Sequence, residues 1–174
     1  MATAYYQKGR IEASQGDLPA ALNSFRAAVE IQRQHLKRDA NNNKLKYELS
    51  EYLEYVGHGL AQTGNLQASI DTYREVTGLR KLLASSGPSN PLYQKKYASI
   101  LADIGILERE RQHFNLAREH LHEAEKEFLT LLKKWPDDPE TNTALGICYY
   151  NLAQLDLLDG KSSAYYEYLG KAAT

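Results

Sequence analysis

Apolar residues along this chain recur at helical spacing, in runs that stop at glycines and at clusters of Asn, Asp and Pro; no segment sustains the period-two alternation of a strand. The segment GLAQTGNLQASIDTYREV (59–76) shows the grammar: an apolar-periodic run, Gly64 where a helix must stop, Asn65 as a cap, then Leu66 opening the next run. Gly16-Asp17-Leu18 repeats it, with Pro19 in the first helical turn, where a missing N–H costs nothing. Wider breaks fall at DANNN (39–43), GPSNP (87–91) and WPDDP (135–139), and Asn90-Pro91 and Asp138-Pro139 read as a cap followed by a proline start. These signals predict eight helices, at 2–15, 18–38, 43–63, 66–85, 91–111, 114–134, 139–159 and 162–171.

The helices repeat with a period of 48 residues. Gly9, Gly57, Gly105 and Ala153 form one column, and Gly16, Gly64, Gln112 and Gly160 another, seven residues on. Without an insertion, Leu18, Leu66 and Phe114 align, as do Ala21, Ser69 and Ala117; Phe25, Tyr73, Leu121 and Leu169; and Ala28, Val76, Ala124 and Ala172. Ser162 and Tyr165 break two of these columns in the fourth copy. A Gly or Ala in each first helix facing an Ala or Ser in its second lets two backbones approach, while Phe25, Tyr73 and Leu121 fill the space beside them. Each copy is thus expected to be an antiparallel helical pair. One pair cannot bury both its faces, so pairs over 1–41, 42–89, 90–137 and 138–174 are expected to stack into one all-α domain, 1–174, shaped as a right-handed superhelical solenoid.

These columns resemble the tetratricopeptide repeat, whose pattern is a small residue, a helix-ending Gly, then Ala, a large apolar or aromatic residue and Ala. The first copy matches through Gly9, Gly16, Ala21, Phe25 and Ala28, but Lys8 and Glu12 stand where the family prefers large apolar residues, which predicts a frayed N-terminal cap. The family repeat is about 34 residues, so each helix here gains about seven, close to two turns or roughly 10 Å. Long arrays with an FR or YR pair in the second helix (Phe25-Arg26, Tyr73-Arg74) and a basic stretch such as LRKLL (79–83) are similar to those attached to bacterial signalling proteins, serine/threonine kinases among them. The resemblance implies a protein-interaction scaffold whose first helices line a concave groove.

Composition narrows the alternatives. With 21 basic and 22 acidic residues the net charge is -1, and no Lys/Arg block supplies the field that phosphate backbones need, so nucleic acid is not an expected partner. At 43% hydrophobic and 25% charged residues the chain can bury a core. No apolar stretch is long enough to span a membrane, the N-terminus lacks a signal-peptide apolar region, and the lone Cys148 cannot form an internal disulfide; a cytoplasmic protein is expected. No GxxxxGK[ST], GxGxxG or GxSxG string occurs, so no phosphate cradle, nucleophile elbow or cofactor is expected. His120 and His122 point about 200° apart on a helix and cannot share a metal; His113 and His120, seven apart, supply only two ligands. Cys148, between Ile147 and Tyr149, reads as a packed thiol. An enzyme is not expected.

Tyrosine is the unusual quantity. Of thirteen, nine (Tyr5, Tyr6, Tyr47, Tyr52, Tyr55, Tyr93, Tyr97, Tyr149 and Tyr150) fall on first helices. Tyr5 and Tyr149 share the apolar column of Leu53 and Leu101, so about half of the set is expected to pack the core. The stripe outside the helix-pair contact carries Tyr6 with Arg10, Glu54 with His58, Ala102 with Ile106, and Tyr150 with Gln154, and its neighbouring column adds Gln7, Tyr55, Asp103 and Asn151. In repeats that clamp a C-terminal carboxylate, basic and amide residues occupy positions that here carry Tyr6, Arg10, Tyr55, Ser99 and Asp103; only Arg10 has the chemistry. Aromatic anchors with a polar rim suit a peptide or helix of a partner protein, and the expected contacts are Tyr6, Arg10, Glu54, Tyr55, His58, Asp103, Tyr150 and Asn151. Arg10 has a plainer alternative, an ion pair with Glu54. The rival reading is self-association through the terminal segment SSAYYEYLGKAAT, with Tyr165, Tyr166, Tyr168 and Leu169 as its apolar face.

Overall fold

In a computed structural model that describes residues 1–87, 89–160 and 170, the described residues form seven α-helices and no strand. They are α1 (Ala2–Ser14), α2 (Leu18–Arg38), α3 (Asn43–Gln62), α4 (Leu66–Ser86), α5 (Pro91–Glu110), α6 (Phe114–Leu132) and α7 (Pro139–Leu158). Every one lies within two residues of its sequence prediction. The eighth, at 162–171, lies outside the described residues apart from Gly170, as do Ser162, Tyr165, Tyr166, Tyr168 and Leu169.

Local chemistry sets these boundaries. The side chains of Asp17, Asn42, Asn90 and Asp138 accept from the backbone N–H of Ala20, Leu45, Leu92 and Thr141 at 3.1, 3.1, 3.1 and 2.9 Å, satisfying donors that a helix start leaves open. At the opposite ends, Gly16, Gly64 and Gly160 turn the chain at φ +82°, +78° and +71°, and Gln112 does the same at +63°. The residue after each of the first three such turns, at Gly16, Gly64 and Gln112, donates back five positions: Asp17 to Glu12, Asn65 to Leu60 and His113 to Glu108, at 2.8 to 3.0 Å. That bond closes the last helical turn.

The chain divides into two compact units, Met1–Ser86 with α1 to α4 and Gly87–Thr174 with α5 to α7. In the first, contacts pair rising with falling residue numbers, so α1/α2 and α3/α4 are antiparallel: the hydroxyl of Ser24 donates to Glu12 at 2.6 Å, and that of Ser69 to the Gly57 carbonyl at 2.7 Å. The Phe25 ring stands 2.7 Å from where a Cβ of Gly9 would lie, and Tyr73 crowds Gly57 in the same way. Between the pairs, Gly59 admits Leu22, and the buried Gln32 donates to the Leu45 carbonyl and to Glu48. The polar Ser24–Glu12 contact holds α1 to α2 at a position where the family prefers an apolar residue, and α1 runs from Ala2 to Ser14 with no side-chain hydrogen bond at its N-cap, Met1.

The second unit repeats the crossing with Gly105 against Leu121 and the Ala117 carbonyl. Its core gathers Leu101, Leu121, Phe128, Leu131, Leu152 and Leu155 around Cys148, whose thiol donates to the Leu121 carbonyl at 3.0 Å and is pushed up to about 12 by burial. Cys148 is a packed thiol. Of the column containing Leu53, Leu101 and Tyr149, all three are buried, but Tyr5 is 39% exposed, because no described helix covers that side of α1.

Candidate partner-binding face

In the first unit, α1, α2 and α3 bring four aromatic rings together. The Tyr6 ring lies 4.9 Å from Tyr52, 5.1 Å from Tyr55 in an edge-on arrangement, and 6.2 Å from Phe25, while Phe25 and Tyr55 are 5.2 Å apart. Such tilted and edge-on pairs match the positive rim of one ring to the negative face of another. Burial, then a hydrogen bond with Tyr55, holds the Tyr6 phenol well above its ordinary range, with the nearby Arg10 opposing the shift. Arg10 is exposed, with its guanidinium 5.7 Å over the Tyr6 ring and a 3.5 Å contact to Gln7. Its place one helical turn after Tyr6 produces this stacking.

Glu54 and His58 continue along α3. Glu54 accepts from Arg80 at 2.5 Å and Glu51 from the same guanidinium at 3.0 Å; the Arg80 side chain is 1% exposed. The alternative of an Arg10–Glu54 pair is therefore replaced by Arg80–Glu54 and Arg10–Tyr6, because Arg80 reaches the carboxylate from the packed interface of α4. His58 is exposed, with Nε2 3.3 Å from the Gln62 amide. Tyr6, Arg10 and Tyr55 thus touch one another directly or through a shared ring, and Glu54 and His58 flank them.

In the second unit, Asp103 on α5 is half-buried, Tyr150 on α7 is 50% exposed, and Asn151 is 4% exposed with its amide donating to the Ile147 carbonyl at 2.8 Å. The Tyr97 hydroxyl donates to Glu123 at 2.9 Å, and burial followed by that carboxylate raises its phenol above the ordinary range. Phe25 and Arg80 are the residues missed for the first-unit face. Phe25 was assigned only to the glycine crossing, whereas the signal for Arg80 was its position among Val76 and Leu83 on the buried stripe of α4. A charged residue on such a stripe demands carboxylate partners.

Among the described residues, no group of three or more His, Cys, Asp or Glu is arranged to hold a metal ion. His122 lies 3.0 Å from Glu125 and His113 2.8 Å from the buried Glu108. No described helix is long and apolar enough to cross a membrane.

Residues 2–35 match the tetratricopeptide repeat family model. The match spans α1 and most of α2, so this helical pair, with Gly9 against Phe25, is similar to a tetratricopeptide repeat. No curated protein matches the chain in sequence. Among solved structures, MamA AMB-1 is 15% identical with a TM-score of 0.42, over 99% of this chain and 90% of that one. The nearly identical TPR-like repeats of a P. anserina kinesin light chain are 13% identical with a TM-score of 0.44, over 98% and 92%. BtubC (BKLC) from P. vanneervenii is 13% identical with a TM-score of 0.37, over 99% and 87%. The described helices make the chain an all-α helical repeat protein.

Proposed function

We propose that this chain is a protein-interaction scaffold that takes a peptide or helix of a partner protein on the exposed face of its first helices. Tetratricopeptide repeats generally mediate protein–protein interaction, and residues 2–35 match that family. The observation that carries the reading is Arg10 stacked over Tyr6, with Tyr55 edge-on to the same ring. Packing fixes these rings before a partner arrives, so little side-chain freedom remains to be lost on binding. The guanidinium keeps N–H groups for a partner's carboxylate or carbonyl, and aromatic and Arg side chains dominate binding hot spots. Glu54 and His58 form the polar rim. In the second unit, taken by itself, Asp103, Tyr150 and Asn151 are the proposed partner contacts, Tyr150 being the exposed one and Asn151 buried beside it.

In the same reading the array is a long, 48-residue variant of the repeat, a cytoplasmic and regulatory part of a larger signalling protein such as a kinase, with no catalytic role. The test is an Arg10→Ala, Tyr55→Ala double variant that keeps its helical content. It should release a captured partner by about thirtyfold in affinity, the equivalent of roughly 2 kcal/mol. Unchanged capture by that variant, together with loss on removing residues 161–174, would instead establish self-association through the terminal segment.

A further inference from the structure

We propose that the second unit carries a separate binding site, at the turn from α6 into α7, for an extended, proline-containing segment of a partner protein. A cleft of about 470 Å³ opens there between the start of α5, the end of α6 and the start of α7. That volume is in the range of ligand-binding clefts, roughly 300–1,000 Å³. Its apolar lining is Trp135, Leu131 and the rings of Pro91, Pro136 and Pro139.

The charges at the cleft select against an ionic occupant. The Lys95 ammonium is bound by Asp138 at 2.9 Å and Glu140 at 2.8 Å. The Lys134 ammonium lies 5.8 Å over the Trp135 ring, filling the position a partner's cation would take. Of the lining residues, Lys95 and Lys134 balance Asp137 and Asp138. A neutral occupant with flat apolar surface fits this lining, and a polyproline-type strand has both ring faces and backbone carbonyls without internal partners. The Trp135 indole N–H makes no hydrogen bond among the described residues and is the donor available to such a carbonyl. Indole rings that pack against proline while donating to its carbonyl are the physical basis of proline-segment recognition.

The site is also preformed. The backbone N–H groups of Lys134 and Trp135 both donate to the Leu131 carbonyl at 2.9 Å, that of Asp138 to the Trp135 carbonyl at 3.3 Å, and the Asn142 amide to the Pro136 carbonyl at 3.1 Å. Three prolines in the lining fix φ on both sides of the cleft.

The chain has one tryptophan, so its emission, excited where tyrosine does not absorb, reports on this cleft directly. The full chain is titrated with a decaproline peptide capped at both ends and with a capped Gly-Ser peptide of the same length. The expected result is a saturable change in Trp135 emission with decaproline only, and an affinity that salt leaves nearly constant. Labelled decaproline followed by anisotropy should bind Trp135→Phe about tenfold more weakly, the loss of one hydrogen bond. Trp135→Phe preserves ring packing, and its melting curve verifies the fold. The proposal is overturned by no response to decaproline, by an equal response to the Gly-Ser peptide, by binding that collapses with salt, or by full affinity in folded Trp135→Phe.

Discussion

The Tyr73 ring occupies the space that a Cβ on Gly57 would fill, its Cε1 and Cδ1 being the nearest atoms. The glycine therefore sets how closely α3 and α4 cross, and the Ser69 hydroxyl, bonded to the Gly57 carbonyl at 2.7 Å, fixes the same crossing by a second contact. Gly9 with Phe25 and Gly105 with Leu121 are its counterparts, each with 2.7 Å between the absent Cβ and the facing side chain.

Gly57→Leu should destabilise the first unit by about 1–3 kcal/mol, the typical cost of overpacking, because a fully buried ring cannot move aside without shifting α4. Tyr73→Ala alone should also destabilise, by leaving a cavity. In the double variant Gly57→Leu, Tyr73→Ala the two losses should partly cancel. Thermal melting of the four proteins forms the cycle, and strictly additive losses would show that the glycine and the ring do not share the crossing.

Gln112 stands in the left-handed conformation that Gly16, Gly64 and Gly160 adopt at the corresponding helix ends. A side chain there costs roughly 1–2 kcal/mol, of which the added freedom of glycine in the unfolded chain returns part. Gln112→Gly should therefore stabilise by about 1 kcal/mol, and Gly64→Ala should destabilise by a similar amount. At Gly64 no atom lies within 4 Å of the added Cβ, so the second change isolates backbone strain from packing. Urea midpoints moving in opposite directions are the expected result; a destabilised Gln112→Gly would mean that the glutamine side chain stabilises the turn by more than the strain.

These two relationships mark what the sequence makes legible. Helix ends were readable because caps, first-turn prolines and left-handed glycines act over four or five residues, and the glycine columns were readable because a close crossing recurs at a fixed spacing. Arg80 was not: helical periodicity puts it on the buried stripe, but its carboxylate partners sit on another helix, at Glu51 and Glu54. The Arg10–Tyr6 stacking follows from spacing within one helix, whereas the Tyr6–Tyr52–Tyr55 contact depends on how α1 lies beside α3. Tyr5 failed as a core residue for the same reason, since column membership cannot say whether a neighbouring helix is present on that side. The WPDDP run was legible as a break, but its cleft forms only when the end of α6 meets the starts of α5 and α7.

Asp138 joins a helix cap to an ion pair and gives a pH signature. Its carboxylate accepts from the Thr141 hydroxyl, from Lys95 and from the Thr141 N–H, which together hold it at about 2 against an ordinary 3.8. Lys95 is shifted the opposite way: burial alone would lower it, but hydrogen bonds to Glu140 and Asp138 outweigh that and raise it. Because the folded value of Asp138 lies below the unfolded one, its contribution is complete above the ordinary value and is lost as the pH falls through about 2. Asp138→Asn keeps an oxygen for the cap but carries no charge for Lys95. The stability difference between the natural chain and Asp138→Asn should thus be constant at neutral pH and shrink on acidification. A carboxyl carbon NMR titration should place the Asp138 midpoint near 2; a midpoint near 3.8 would show that the cap and the lysine do not favour its ionised form.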